Sequence, residues 1–284
     1  MRNFLFEAVQ RETDPMYDAA LLTEQDAFYW KNPQCNFCNN GHSSTKFFIA
    51  STVGILCDRG LLTPQTTIRE VFPFAGKGWE NVTVAHALQH KTGMETIPYG
   101  VDNDEDQEKI GKDYLGYVLS LPIEYEPGTH YRYSDAAYYL LSRVVAEVSG
   151  VNTTEFLREN IMEPLSFRQW AIACCPMGYP IGGGGFYARA DDAAKLGLAY
   201  ACEGQYQGKQ IISPHWIRQA MQNDYACTQF RDTGIFLKTG AKGQIVAFHP
   251  DYRAAAAWHG YSDKDGNNRN DRLLEAFAQT LQTL

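Results

Sequence analysis

The sequence has no hydrophobic run approaching the length of a membrane span. Its start, Met1-Arg2-Asn3-Phe4-Leu5-Phe6-Glu7, is interrupted by charge too early for a signal-peptide core. It contains no internal repeat, low-complexity tract or linker. Positive charge is in deficit: 25 Lys and Arg against 33 Asp and Glu give a formal charge of −8. That balance suits neither a nucleic-acid surface nor an anionic membrane, although one local lysine suffices to bind a small anion. The seven cysteines are an odd number. Cys35-x-x-Cys38 and the adjacent Cys174 and Cys175 do not resemble a secreted disulfide framework. The expectation is a reducing, cytoplasmic location, although a chain already stripped of a signal peptide would read the same. Cys35-x-x-Cys38-x-x-x-His42 has the spacing of half a zinc site, but no second Cys-x-x-Cys completes it. The run Gly182–Gly185 is not followed by Gly-Lys-Ser/Thr, so it reads as a plain loop rather than a phosphate cradle. No metal or cofactor is expected, and the oligomeric state is left open.

What is present is enough for a sizeable core. A chain of 284 residues makes one large domain or two intimate ones and needs neither metal nor disulfide for stability. Residues 3–12 suit a short helix, and residues 17–31 a hairpin turning at Thr23-Glu24-Gln25-Asp26. Ser43 to Asp58 reads as a helix, with Gly60 just past its end. Phe47, Phe48, Ile49, Val53, Ile55 and Leu56 cover most of its circumference, which predicts burial in the middle of a domain. Further helices are expected at 82–90, 106–121, 135–148, 153–160, 190–203 and 213–223. After residue 230 the texture changes, and 233–239, 243–249 and 253–259 read as an antiparallel meander. Ala254 to Ala257 favours helix by propensity, yet the short connections on both sides favour strand. A terminal amphipathic helix is expected over 272–284. Strands at both ends around a helical middle predict an α/β (α+β) fold, an antiparallel sheet flanked by helices. The sheet domain comprises 1–60 and 205–284, the helical domain 61–204, with an active site in the cleft between them.

Three segments carry candidate chemistry. Ser43 is the only serine with a lysine three residues later. At a helix start, positions i and i+3 share a face, so Lys46 would stand beside the Ser43 hydroxyl, near unpaired backbone N–H groups. Burial disfavours an ammonium ion, which suits such a lysine to accept a proton. Taken alone, the pair reads equally well as an N-cap serine with an unrelated lysine. Tyr131-Arg132-Tyr133-Ser134-Asp135 precedes an apolar helix. A tyrosine near a cation can relay protons, while Ser134 or Asp135 can simply cap the helix. Lys238-Thr239-Gly240 lies on the first strand of the meander, where glycine permits close approach and lysine supplies positive charge. A second Lys-Thr-Gly, at 91–93, follows a helix instead. His259, before Gly260, reads more readily as structural than as part of the cleft.

The order of the three segments is the stronger signal. Ser-x-x-Lys at a buried helix start, Tyr-x-Asp before a helix and Lys-Thr-Gly on a late strand resemble the class C β-lactamase-like serine hydrolases, which include D,D-peptidases and esterases. Ala87-Leu88-Gln89-His90-Lys91-Thr92-Gly93 is similar to that family's Leu-Leu-x-His-x-Ser-Gly element. Tyr125-Glu126-Pro127-Gly128-Thr129, Tyr133-Ser134-Asp135, Gly183-Gly184-Gly185-Phe186-Tyr187 and Ile212-Ser213-Pro214 extend the likeness from about residue 42 to the C-terminus. The resemblance implies a β-lactamase/transpeptidase-like fold and a serine hydrolase acting through an acyl-Ser43 intermediate. It implies that Lys46 helps remove the Ser43 proton, that Tyr133 assists acylation and deacylation, and that Lys238 binds a substrate carboxylate and tunes Tyr133. The substrate side would be held by Asp135, Thr239, Gly240 and Ala241, with the Ser43 and Ala241 N–H groups forming an oxyanion hole. The implied partner is a small molecule: a β-lactam, a D-amino-acid peptide or an ester. Asp135 departs from the pattern, which has asparagine there, and an ionised carboxylate cannot donate a hydrogen bond. The region before Ser43 is shorter than usual, and no Glu-x-x-Leu-Asn element is visible. The alternative is a catalytically weak or inactive ligand-binding relative of the same fold.

Overall fold

The computed structural model describes residues 3–95, 110–262 and 266–284. Its centre is a six-stranded antiparallel sheet in the order β2-β1-β11-β10-β9-β8. The strands are β1 Met16–Thr23, β2 Ala27–Lys31, β8 Thr228–Gln229, β9 Phe236–Gly240, β10 Gln244–His249 and β11 Ala254–Gly260. Alternation along the three central strands explains the layering. Ala19, Leu21, Ile245, Ala247, Ala256 and Trp258 face the helices Phe4–Arg11 and Gly266–Leu281. Ala20, Leu22, Val246, Phe248, Ala255 and Ala257 face the opposite way, into the larger core. A sheet covered on both faces has no polar alternation to show, which is why these strands read as continuous apolar runs.

The alanines of β11 are strand because a helix lies on them. The helix Ala190–Ala201 packs against β1, β10 and β11. At Gly197 an added Cβ would stand 3.1 Å from Ala255 Cβ and 3.3 Å from the Ala247 carbonyl oxygen. Small residues on both partners permit that approach, and tertiary packing overrides helix propensity. This helix, within the expected 61–204 region, packs on the sheet.

The helix Thr45–Asp58 is buried from Thr45 to Leu56, as its all-round apolar character predicted. It runs between the sheet and the helical region, where Asp135–Ser149 packs against it and against Val84–Leu88, Tyr114–Ser120 and Thr153–Leu157. Within the expected 106–121 helix, residues 106–109 lie outside the described part. The expected 153–160 helix is an α segment to Leu157 followed by a π turn, Arg158–Met162. The terminal helix begins at Gly266, earlier than expected. A small sheet was not anticipated: β3 Asn39–Asn40, β5 Phe186–Ala188 and β4 Trp170–Ile172, in that order, nor was the two-stranded ribbon of β6 Gln205–Tyr206 and β7 Lys209–Gln210. Strands of two or three residues are too short for alternation to register. No described helix is long and apolar enough to cross a membrane.

Candidate active site

Ser43 lies not in the α-helix proper but in a 3₁₀ turn, His42–Ser44, that feeds it. Side chains and backbone pin this turn. Asn40 Oδ1 accepts the His42 N–H at 2.8 Å, and the Gly41 N–H donates to the Phe186 carbonyl at 2.8 Å. Thr45 Oγ1 donates to the His42 carbonyl at 2.6 Å and accepts the Phe186 N–H at 3.1 Å. His42 is left-handed, with φ 48°, so the chain reverses sharply just before the serine. Strand β9 passes alongside. Its neighbour β8 covers only Phe236 and Leu237. The edge from Lys238 to Gly240 is thus left open on that side, and the Ser43 turn packs against β9. A Cβ at Gly240 would stand 2.1 Å from the Gly41 carbonyl oxygen, so only glycine lets the two backbones meet.

One turn beyond Ser43, the Lys46 side chain is 0% exposed. Its Nζ is 3.3 Å from Ser43 Oγ, 2.5 Å from Asp135 Oδ1 and 2.5 Å from the Gly183 carbonyl oxygen. An ammonium group has three donors and no acceptor, and three acceptors surround this one. Lys46 thus stands within hydrogen-bonding reach of Ser43 Oγ, as the i, i+3 spacing suggested. Asp135, expected to contact substrate, holds Lys46. Gly183 enters the site from the loop that had looked featureless.

The other neighbour of Ser43 Oγ is Tyr133, whose hydroxyl lies at 2.6 Å. The capping reading of its segment holds: Ser134 caps the Asp135–Ser149 helix, accepting the Ala137 N–H at 3.1 Å, while Tyr133 turns towards the serine. His90 stacks on the Tyr133 ring, with centroids 4.5 Å apart and planes at 29°. Its Nδ1 accepts the Ser134 N–H at 3.1 Å, which places the ring proton on Nε2. Burial, then the charges of Lys238 and Lys46, push the His90 pKa down to about 3, so this imidazole is neutral. In the sequence, His90 stands out only as part of a motif. Its left-handed φ of 58° and its stacking are three-dimensional facts with no signal in composition or spacing.

Lys46 Nζ and Lys238 Nζ stand 4.7 and 5.7 Å from the Tyr133 ring centroid. Burial first, and then the charge of Lys46, push Lys238 down to about 8. Thr239 and Ala241 are exposed at the end of β9, and Gly240 is buried. Ser43, Lys46, Tyr133, Asp135 and Lys238 thus converge, with Thr239, Gly240 and Ala241 along the neighbouring strand edge. The second Lys-Thr-Gly, at 91–93, sits in the turn after the Val84–Leu88 helix. Lys91 and Lys238 line a shared cavity of about 180 Å³.

His259 is buried and hydrogen-bonded to Asp18, Nδ1 to Oδ1 at 2.8 Å. Asp18 Oδ2 also accepts the N–H of Ala190 at 2.7 Å. This cluster ties β1 and β11 to the start of the Ala190–Ala201 helix. Cys35 and Cys38 are free thiols, and among the described residues no group of His, Cys, Asp and Glu could hold a metal ion.

The Beta-lactamase family profile matches residues 41–279. The chain belongs to the β-lactamase family. A putative D-alanyl-D-alanine carboxypeptidase of Escherichia coli (strain K12) is 26% identical over 160 residues, covering 52% of this chain and 36% of that protein. The chain spans 22–36% of the length of the first curated relatives it matches. Among solved structures, a family VIII carboxylesterase superposes with a TM-score of 0.80 at 18% identity, covering 98% of this chain and 96% of the other. A penicillin-binding protein homologue from Caulobacter crescentus gives 0.78 at 19% identity, covering 98% and 96%. These likenesses establish the β-lactamase and penicillin-binding-protein fold for almost the whole chain.

Proposed function

We propose that this β-lactamase-family chain is a serine hydrolase that forms an acyl-Ser43 intermediate from an ester, amide or β-lactam. The observation that carries the reading is the position of Ser43 Oγ between the Tyr133 hydroxyl at 2.6 Å and Lys46 Nζ at 3.3 Å. In this account the Ser43 proton passes to the Lys46–Tyr133 pair as Oγ attacks the carbonyl carbon. Tyr133 then returns the proton to the leaving group and, in the second half-reaction, takes one from the attacking water. The Ser43 and Ala241 N–H groups are the oxyanion donors in this account; two aimed N–H groups typically lower such a barrier by several kcal/mol. Lys238 and Thr239 line the side of the cleft that would receive a substrate carboxylate.

A turnover panel of nitrocefin, p-nitrophenyl esters and D-amino-acid amides tests the reading. At least one is hydrolysed, and Ser43→Ala abolishes that activity while leaving the fold intact. Activity that survives Ser43→Ala refutes the reading. The second reading, a ligand-binding relative without turnover, is favoured by Asp135, which ties up Lys46. It prevails if wild type turns over nothing in the panel yet binds a ligand with an affinity that Ser43→Ala leaves unchanged.

A further inference from the structure

The Asp135 carboxylate holds Lys46 through Oδ1. Its side chain is nevertheless 29% exposed. Lys46 is its only hydrogen-bond partner among the described residues. A carboxylate has about four lone-pair sites on two oxygens and no donor, so acceptor capacity is left beyond the bond to Lys46. Gly183 packs on the opposite side: an added Cβ there would lie 2.7 Å from Asp135 Cβ, which fixes the carboxylate's position. Two hydrogen bonds, of 2.5 and 3.3 Å through Lys46 Nζ, separate Asp135 from Ser43 Oγ. An amino group on the α or β carbon of a Ser43-bound acyl chain bridges such a span.

We infer that Asp135 selects acyl donors carrying a protonated amine close to the scissile carbonyl, and that it disfavours acyl chains with a carbonyl or carboxylate there. The inference rests on the acyl-Ser43 reading. A charge-assisted hydrogen bond is worth more than a neutral one. At this partly exposed position the preference corresponds to about 10- to 100-fold in kcat/KM.

The test uses phenyl esters of β-alanine, butyric acid and succinic acid, three acyl chains of similar length that are cationic, neutral and anionic. Wild type hydrolyses them in that order of kcat/KM, and Asp135→Asn, nearly isosteric, collapses the cationic-to-neutral ratio about 10- to 100-fold. Any effect of the variant on Lys46 acts on all three esters and cancels in the ratio. Equal ratios in wild type and variant, or butyrate preferred by wild type, overturn the proposal. A readout independent of turnover is protection of Ser43 from a fluorophosphonate. β-Alaninamide slows labelling of wild type where butyramide does not, and equal protection by the two overturns the proposal. If the fluorophosphonate never labels Ser43, the hydrolase reading itself falls and the inference with it. Labelling without amine selectivity removes the inference alone.

Discussion

Replacing Gly240 by alanine places a methyl carbon 2.1 Å from the Gly41 carbonyl oxygen, where contacts under 3.0 Å are essentially never found. Both partners are backbone, so no side chain can swing aside. Relief requires β9 and the turn carrying Ser43 to part by about 1 Å, and a displacement of that size costs about 100-fold in rate when it separates catalytic groups. The backbone at Gly240 has φ −118°, which alanine adopts freely, so the effect comes from the contact and not from backbone strain. The strand also keeps its pairing with β10. Activity is therefore expected to fall much further than stability: kcat/KM on a p-nitrophenyl ester drops about 100-fold, a barrier change of about 2.7 kcal/mol, while the variant still melts cooperatively. The rate of fluorophosphonate labelling of Ser43 should fall in parallel, because acylation needs the same alignment. Full activity in Gly240→Ala with an unchanged melting temperature would refute the view that this backbone contact sets the Ser43–β9 geometry.

His90→Asn keeps a residue tolerant of the left-handed conformation and an acceptor for the Ser134 N–H, but removes the ring stacked on Tyr133. It should lower kcat about tenfold by loosening that positioning, and an unchanged kcat counts against the role. His90 has a folded pKa of about 3 against an ordinary 6.5. The unfolded chain therefore binds a proton first, and wild type loses stability progressively as pH falls from 6.5 to 3. The loss attributable to this group reaches about 4 kcal/mol. Urea midpoints measured across that window should be flatter in His90→Asn, and identical profiles contradict the buried neutral imidazole. Lys238 has the opposite window. With a folded pKa of about 8 against 10.5, its contribution to stability rises as pH climbs from 8 to 10.5. Lys238→Met should stabilise the protein at pH 7 by about 3 kcal/mol while impairing activity, and the gain should shrink above pH 8. A destabilised Lys238→Met at pH 7 would show that the ammonium is well accommodated.

The sequence made some of this legible for identifiable reasons. The buried helix after Ser43 announced itself because its apolar residues cover the whole circumference, which a surface helix cannot afford. The meander announced itself through short connections, strongly enough to override the helix propensity of Ala254–Ala257. The order of Ser43, Tyr133 and Lys238 pointed to one cleft before any geometry was available. What stayed hidden depends on contacts between distant segments. Gly183 approaches Lys46 across 137 positions, and nothing in a glycine run says which carbonyl will face a lysine. The partner of Asp135 was equally hidden: a residue expected to face substrate is first of all an ion-pair partner, 89 positions from its lysine. The 3₁₀ turn at Ser43 arises from the reversal at His42 and the bond between Gly41 and Phe186, neither of which is local to the helix pattern.

The most direct test of the central claim is peptide-mapping mass spectrometry after brief incubation with a slowly deacylated ester or a fluorophosphonate. The account predicts one stoichiometric adduct, on the Ser43 peptide, that is absent in Ser43→Ala and forms more slowly in Tyr133→Phe. An adduct at another residue, or none on a well-folded protein that hydrolyses the ester, would contradict it.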